Sequence, residues 1–185
     1  MPYRLPRSYR RNLRPVPFDD HAPITGACAG WEWQPDVYPF AAELAREIGA
    51  TALVDVGCGA GRKIAPFADE FTVVGFDRAE IVDQIDPAAL PAFPIDLDTA
   101  SEVPVPADEV TVLVCSDVIE HLVHPERAMA AMAATLRTEG VERLVLSTPD
   151  RSLSNWTRRS GPPMNRGHVQ EWTLDELVAW ITQDL

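Results

Sequence analysis

The sequence predicts an α/β fold, a doubly wound and mainly parallel sheet with helices on both faces. Three observations predict it. Short apolar runs alternate with segments of helical spacing along most of the chain. The connections between them are mostly short, as right-handed crossovers between parallel strands allow. The run at residues 110–115, Val-Thr-Val-Leu-Val-Cys, is almost continuously β-branched or apolar, which suits a central strand covered on both faces.

Taken in order, Val37, Phe40, Ala41, Leu44 and Ile48 recur at helical spacing, with Asp36 placed to cap, Pro39 in the first turn and Gly49 at the end. Residues 51–56 form a first strand that breaks into glycines, and a second helix follows near residues 62–69. Residues 71–76 form a second strand ending at Asp77, and Phe93-Pro94-Ile95 before Asp96 form a short third. Residues 81–90 are weakly patterned and read as helix or loop. After the strand at 110–115, Pro125 opens a helix in which Met129, Met132 and Leu136 share a face, and Gly140 closes it. Residues 143–147 are another apolar strand, stopped by Pro149. Thr173 and Glu176 have the spacing of a capping box ahead of Leu177, Trp180 and Ile181, so a helix ends the sequence.

A chain of 185 residues that is 46% hydrophobic holds one domain with a sizeable core. Residues 1–30 read as an Arg- and Pro-rich arm carrying Arg4, Arg7, Arg10, Arg11 and Arg14. A solvated, mobile arm is expected, with a lid or an anion-recruiting arm as the alternative. Residues 31–185 form the domain proper. No apolar run approaches the roughly 18 residues of a membrane span, and the start lacks a secretory apolar stretch, so a soluble, cytoplasmic protein without a membrane partner is expected. A net charge of −12 argues against a nucleic-acid partner, because a polyanion is repelled. Cys28, Cys58 and Cys115 stand apart with no CxxC pair and read as reduced thiols.

In an open parallel sheet the ligand lies beyond the carboxyl ends of the strands. That gathers residues 57–61, Asp77, Asp96, Ser116, Asp117 and the chain from Thr148 onward around one crevice. Glycines at 57, 59 and 61 let the backbone turn sharply and approach a ligand, but Arg62 stands where a dinucleotide fingerprint needs its third glycine. Asp77, about 20 residues on and at the end of the next strand, can accept both hydroxyls of a ribose. The pair reads as a nucleoside site, and a nicotinamide cofactor would fit it too.

Val54-Asp55-Val56-Gly57-Cys58-Gly59-Ala60-Gly61 resembles the first motif of class I S-adenosylmethionine-dependent methyltransferases, and Cys115-Ser116-Asp117-Val118-Ile119-Glu120-His121-Leu122 resembles the segment after their fourth strand. The resemblance runs from about Trp31 to the end of the sequence. It implies a Rossmann-like methyltransferase fold, with S-adenosyl-L-methionine as donor and S-adenosyl-L-homocysteine as product. It also implies that Gly57, Cys58, Gly59 and Gly61 line the methionine moiety, and that Asp77, with Arg78 beside it, binds the ribose. Asp96 with Leu97 would sit at the adenine, where Asp98 competes for the role, and a carbonyl near Cys115 or Ser116 would receive the amino group. Asp55 either contacts the cofactor or braces the loop through backbone N–H groups.

Methyl transfer from a sulfonium is an in-line displacement, so a base that deprotonates the acceptor is the chemistry to look for. His121 and His124 are i, i+3, but Pro125 breaks the regularity and no third ligand is evident, so no metal is expected. The pair Glu120-His121 reads as shaping the site. Residues 147–172 are too long for an ordinary connection and carry Arg151, Arg158, Arg159 and Arg166 with Trp156, His168 and Trp172. Such a set suits an anionic, partly planar or sugar-bearing small-molecule acceptor, or else a solvated loop that balances charge. Residues 161–172 resemble segments in bacterial methyltransferases of sugar, cell-surface glycan or natural-product pathways. On that resemblance His168 is the first candidate base and Asp117 the second; His168 docking the loop by a hydrogen bond is the alternative.

The family normally adds two further strands after the helix that ends this sequence, so the sheet is expected to lack them. Either the sequence is a fragment, or the strand at 143–147 is an edge that the long loop or a second subunit, as in a homodimer, covers. The expected function is methyl transfer to oxygen or nitrogen of a small molecule. A noncatalytic cofactor-binding module and an NAD-dependent oxidoreductase are the alternatives.

Overall fold

The structure, a computed structural model, describes residues 5–6, 8–16, 34–154 and 160–184. Its strands are β1 (Ala52–Val56), β2 (Thr72–Asp77), β3 (Ala92–Pro94), β4 (Thr111–Ser116) and β5 (Val141–Ser147). Its helices are α1 (Val37–Ile48), α2 (Ala79–Val82), α3 (Pro125–Thr135), α4 (Arg151–Ser154) and α5 (Leu174–Asp184). All strand pairs are parallel and the order is β3-β2-β1-β4-β5, the doubly wound arrangement. Strand order reverses between β1 and β4, and the crevice opens beyond their carboxyl ends.

β1 and β4 are buried along their whole length because each face meets a separate core. Leu53, Val112 and Val114 enter one core with Tyr38, Ala41, Ala42 and Ala45 of α1, whose small residues let the helix approach the sheet. Their neighbours Val54, Val56, Leu113 and Cys115 enter the other, with Ala128, Met129 and Met132 of α3 and Trp180 of α5. Trp180 stacks on Trp172 with ring centroids 5.2 Å apart. The two-residue alternation of each strand thus serves both faces at once. Among the described residues, no helix is long and apolar enough to cross a membrane.

Several expectations need correction. Residues 62–69 hold no α-helix but turns and one 3₁₀ turn, Ala65–Phe67; Pro66 sits within it and has no N–H to give a longer helix. The weakly patterned stretch at 81–90 resolves into the end of α2 and turns. Asp36 occupies the N-cap of α1 without making a side-chain cap bond. The capping box at the start of α5 does form, with Thr173 N–H donating to Glu176 Oε2 (2.9 Å) and Glu176 N–H to Thr173 Oγ1 (3.3 Å). The described part of the N-terminal segment is no free arm. It lies along the segment that precedes α5, with the amides of Arg10, Asn12 and Val16 donating to the carbonyls of Ser160, Val169 and Arg166 (2.7, 2.7 and 2.9 Å). An extended strip held by its backbone has no amphipathic period to betray it.

Asp55 is fully buried within β1 and takes the Tyr38 hydroxyl of α1 at 3.2 and 3.0 Å from its two oxygens. Burial pushes its carboxyl from 3.8 up to about 7, and Asp77 adds to the rise. The native state therefore keeps a proton that the unfolded chain has released, so stability is lost as pH rises from about 4 to about 7. Asp55→Asn keeps an acceptor for Tyr38 and is expected to flatten that slope in urea denaturation; an unchanged slope would contradict the assignment.

Candidate active site

Where β1 ends, the chain folds back over β2: the amides of Gly57 and Cys58 both donate to the Phe76 carbonyl (2.7 and 3.1 Å). Gly57, Gly59 and Gly61 have φ of 82°, 53° and 73°, a region that side chains rarely adopt. At two of them space forbids a side chain as well. A Cβ would lie 2.3 Å from Val118 Cγ2 at Gly57 and 2.4 Å from Leu90 Cδ2 at Gly61.

Asp77 holds this loop in place. Its Oδ2 accepts from the Gly59 amide (2.8 Å) and its Oδ1 from the Arg78 amide (2.7 Å), and each oxygen keeps a second lone pair. Arg78, Ala79, Glu80, Pro94, Ile95 and Asp96 line an open depression of ≈ 380 Å³ next to it. The Asp96 carboxylate is spent on its own turn, accepting from the Asp98 amide and the Thr99 hydroxyl (both 2.9 Å). Leu97 is buried, and Asp98 Oδ1 is buried without a hydrogen-bond partner among the described residues. Paired acceptors beside a shallow, partly apolar depression fit a nucleoside. Asp55, one strand turn below, is sealed under Tyr38 rather than open to the crevice.

At the end of β4, Cys115 is fully buried, which pushes its thiol up, and Ser147 Oγ donates to Ser116 Oγ (2.9 Å). Asp117 takes a left-handed φ of 57°. Its carboxylate accepts from the side-chain amide of Gln34 and lies 3.7 Å from Lys63 Nζ, and its side chain is 24% exposed. Burial pushes that carboxyl up, with Lys63 opposing.

Glu120, on the 3₁₀ turn Ile119–His121, has no exposed surface. Its Oε2 accepts from Thr148 Oγ1 (2.9 Å), while Oε1 is buried with no hydrogen-bond partner among the described residues. Burial, and then the charge of Asp117, push it up to about 8. Its backbone carbonyl accepts from the amides of Val169 (2.7 Å) and Gln170 (3.3 Å), which pins the residue-160s segment against the site.

That segment delivers His168. Gly167 N–H donates to Asn165 Oδ1 (2.9 Å), which turns the Asn165 amide nitrogen toward His168 Nε2 (2.9 Å). Nε2 is therefore the accepting nitrogen, and Nδ1 donates to Glu171 Oε1 at 2.7 Å. His121 Nδ1 faces the Gly167 carbonyl (3.0 Å), which can only accept, so this ring too carries its proton on Nδ1. Burial pushes His121 down, favouring the neutral ring. The two rings meet edge to face, 4.9 Å apart. His124, by contrast, points away and pairs with Glu126 on the surface (3.1 Å).

Two members of the supposed acceptor set do other work. Arg151 is buried, forks onto Glu176 (2.6 and 2.7 Å), donates to the Glu171 carbonyl (3.1 Å) and lies over the Tyr9 ring at 4.5 Å. Trp172 is stacked in the core. Arg166 is exposed, while Trp156, Arg158 and Arg159 fall outside the described residues. Gln34, Lys63 and Asn165 were not among the expected site residues. The spacing Asn165, His168, Glu171 was the one signal available for the last, since i, i+3 steps share a side of a turn.

The family described as "Methyltransferase domain" matches residues 28–183. The chain belongs to this methyltransferase family. No curated protein sequence matches it. Among solved structures, the methyltransferase domain of bacterial CtHen1-C is 18% identical over 81% of this chain and 82% of that one, with a TM-score of 0.60. Small RNA methyltransferase HEN1 is 21% identical over 88% of this chain and 23% of that one, TM-score 0.58. Magnesium protoporphyrin IX methyltransferase from Synechocystis PCC 6803 is 16% identical over 82% and 72%, TM-score 0.53. At these identities the likeness is one of fold, and it assigns the methyltransferase domain a Rossmann-like methyltransferase sheet.

Because Arg151 and Glu176 are both largely buried, removing one strands the other. Arg151→Ala is expected to cost about 3 kcal/mol in urea denaturation; a loss below about 1 kcal/mol would show that the pair is screened like a surface bridge.

Proposed function

We propose that this methyltransferase transfers the methyl group of S-adenosylmethionine to an oxygen or nitrogen of a small-molecule acceptor and releases S-adenosylhomocysteine. The observation that carries this reading is Asp77, held at the tip of β2 with its oxygens 2.8 and 2.7 Å from the amides of Gly59 and Arg78. Two preset acceptors at that point suit the vicinal hydroxyls of a ribose. The glycine loop supports the reading because its left-handed turns present bare backbone at the end of β1, where a ligand can approach closely. Ile95, Asp96 and Arg78 would border the adenine, and the backbone around Cys115 and Ser116 would meet the amino acid end.

The sulfonium supplies an activated methyl group; the protein's part is to orient the acceptor and take its proton. Of the two candidate bases, Asp117 is favoured. It is partly open, its burial makes it a stronger base than a free carboxylate, and Lys63 sits within 3.7 Å to steady its charge. His168 already has both ring nitrogens in hydrogen bonds, which supports a positioning role. The charge of −12 favours a small acceptor over a polyanion.

Calorimetry with S-adenosylmethionine is the test. Binding is expected, and Asp77→Ala is expected to weaken it about tenfold or more, the worth of one to two hydrogen bonds to a carboxylate. Tighter binding of NAD, or an unaffected Asp77→Ala variant, would overturn the cofactor assignment. Asp117→Asn is expected to slow methyl transfer while leaving cofactor affinity unchanged; failure of the wild type to release S-adenosylhomocysteine with any acceptor would leave a noncatalytic module.

A further inference from the structure

We propose that Arg14 and Arg166, with Arg11 beside them, form the docking point for a phosphate group carried by a small acceptor. What the bound molecule is for rests on the methyl-transfer reading; the anion site itself does not.

The chain carries 28 Asp and Glu against 16 Lys and Arg, so a surface arginine has carboxylates in excess to pair with. Arg46, Arg78, Arg143 and Arg151 each take one. Arg11, Arg14 and Arg166 are exposed, and none of the three has a carboxylate partner among the described residues.

Two of them are nevertheless held side by side. The Arg166 carbonyl accepts from the Asn12 side-chain amide (3.0 Å) and from the Val16 amide (2.9 Å), and Arg14 lies between those two residues in the N-terminal strip. Asn12 Oδ1 accepts from the Arg14 amide (3.1 Å), so one side chain braces the backbone at both arginines. Arg11 ties the same strip to the turn after β4 by donating to the Val123 carbonyl. Like charges brought together by neutral backbone bonds repel, and an anion that accepts from both guanidinium forks turns that repulsion into attraction.

Their position links them to the acceptor end of the crevice. Gly167, next to Arg166, packs between His121 and the strip: a Cβ on it would lie 3.6 Å from both His121 Cε1 and the Val16 carbonyl oxygen. The arginines therefore stand beside the turn that carries Asp117. A phosphate offers three oxygens for neighbouring guanidiniums to share. In a chain of net charge −12 a compact anion is favoured over a polyanion, most of whose length would meet repulsion.

Pyrophosphate is the probe, titrated by calorimetry into the full-length protein at low ionic strength with no donor present. One pyrophosphate per chain is expected, weakening as salt rises. Arg14→Gln and Arg166→Gln are each expected to weaken it about tenfold, the worth of a charged hydrogen bond. Arg137→Gln removes an exposed charge just beyond α3 and is expected to change it less than about twofold. Malonate, which offers carboxylates instead, is expected to bind about tenfold more weakly than pyrophosphate. Absence of stoichiometric pyrophosphate, an equal loss in Arg137→Gln, or equal binding of malonate would overturn the site. A single-stranded oligonucleotide that binds more tightly than pyrophosphate, and more so with length, would overturn the compact acceptor. S-adenosylmethionine titrated into the same samples separates the two readings. Both variants are expected to bind it as the wild type does; a loss there would put the arginines at the cofactor and overturn their assignment to the acceptor. Wild-type protein that binds pyrophosphate but no S-adenosylmethionine would sink the donor assignment and leave the anion site standing.

Discussion

The carboxylate of Asp77, accepting from the Gly59 amide at 2.8 Å, joins the two halves of the crevice floor. The glycine loop leaves β1, crosses the end of β2 and is held there by this bond and by two amides on the Phe76 carbonyl. Everything placed around it follows from that crossing. Gly57 must lack a side chain because Val118, from the turn after β4, fills the space, so the turn that carries Asp117 and Glu120 is packed directly on the loop. The depression beside Asp77 and the turn that carries Asp117 and Glu120 are thereby fixed to each other through one small contact.

The wall has its own organising group. Glu120 sits wholly buried where β4 ends, and through its backbone carbonyl it ties down Val169 and Gln170. The N-terminal strip closes over the outside: Tyr9 accepts from the Glu171 amide at 2.9 Å and lies under Arg151, which grips Glu176 of α5. A buried carboxylate is costly unless it is protonated, hydrogen-bonded or facing a cation. Here one oxygen accepts from Thr148, and burial together with the charge of Asp117 favours the protonated carboxyl. Strap, loop and helix together hold this buried carboxyl where β4 ends.

Much of this was legible in the residues. The strands at 52–56 and 111–116 announce themselves by continuous apolar character, and Gly57, Gly59, Gly61 and Asp77 by type and spacing. What escaped were contacts between segments far apart in sequence. His121 paired with His168, rather than with His124, depends on a hydrogen-bonded ledge 47 residues downstream that no local period encodes. Arg151 looked like an anion receptor because an arginine in a long polar loop carries no sign of its partner, and Glu176 is 25 residues away. The expected helix at 62–69 failed because glycine-loop turns and Pro66 outweighed its apolar spacing.

A structure of the protein with S-adenosylhomocysteine tests the account most directly. Both ribose hydroxyls are expected on the Asp77 carboxylate, with the adenine in the depression lined by Arg78, Ile95 and Asp96. A ligand seated elsewhere, or a ribose that does not reach Asp77, would contradict it.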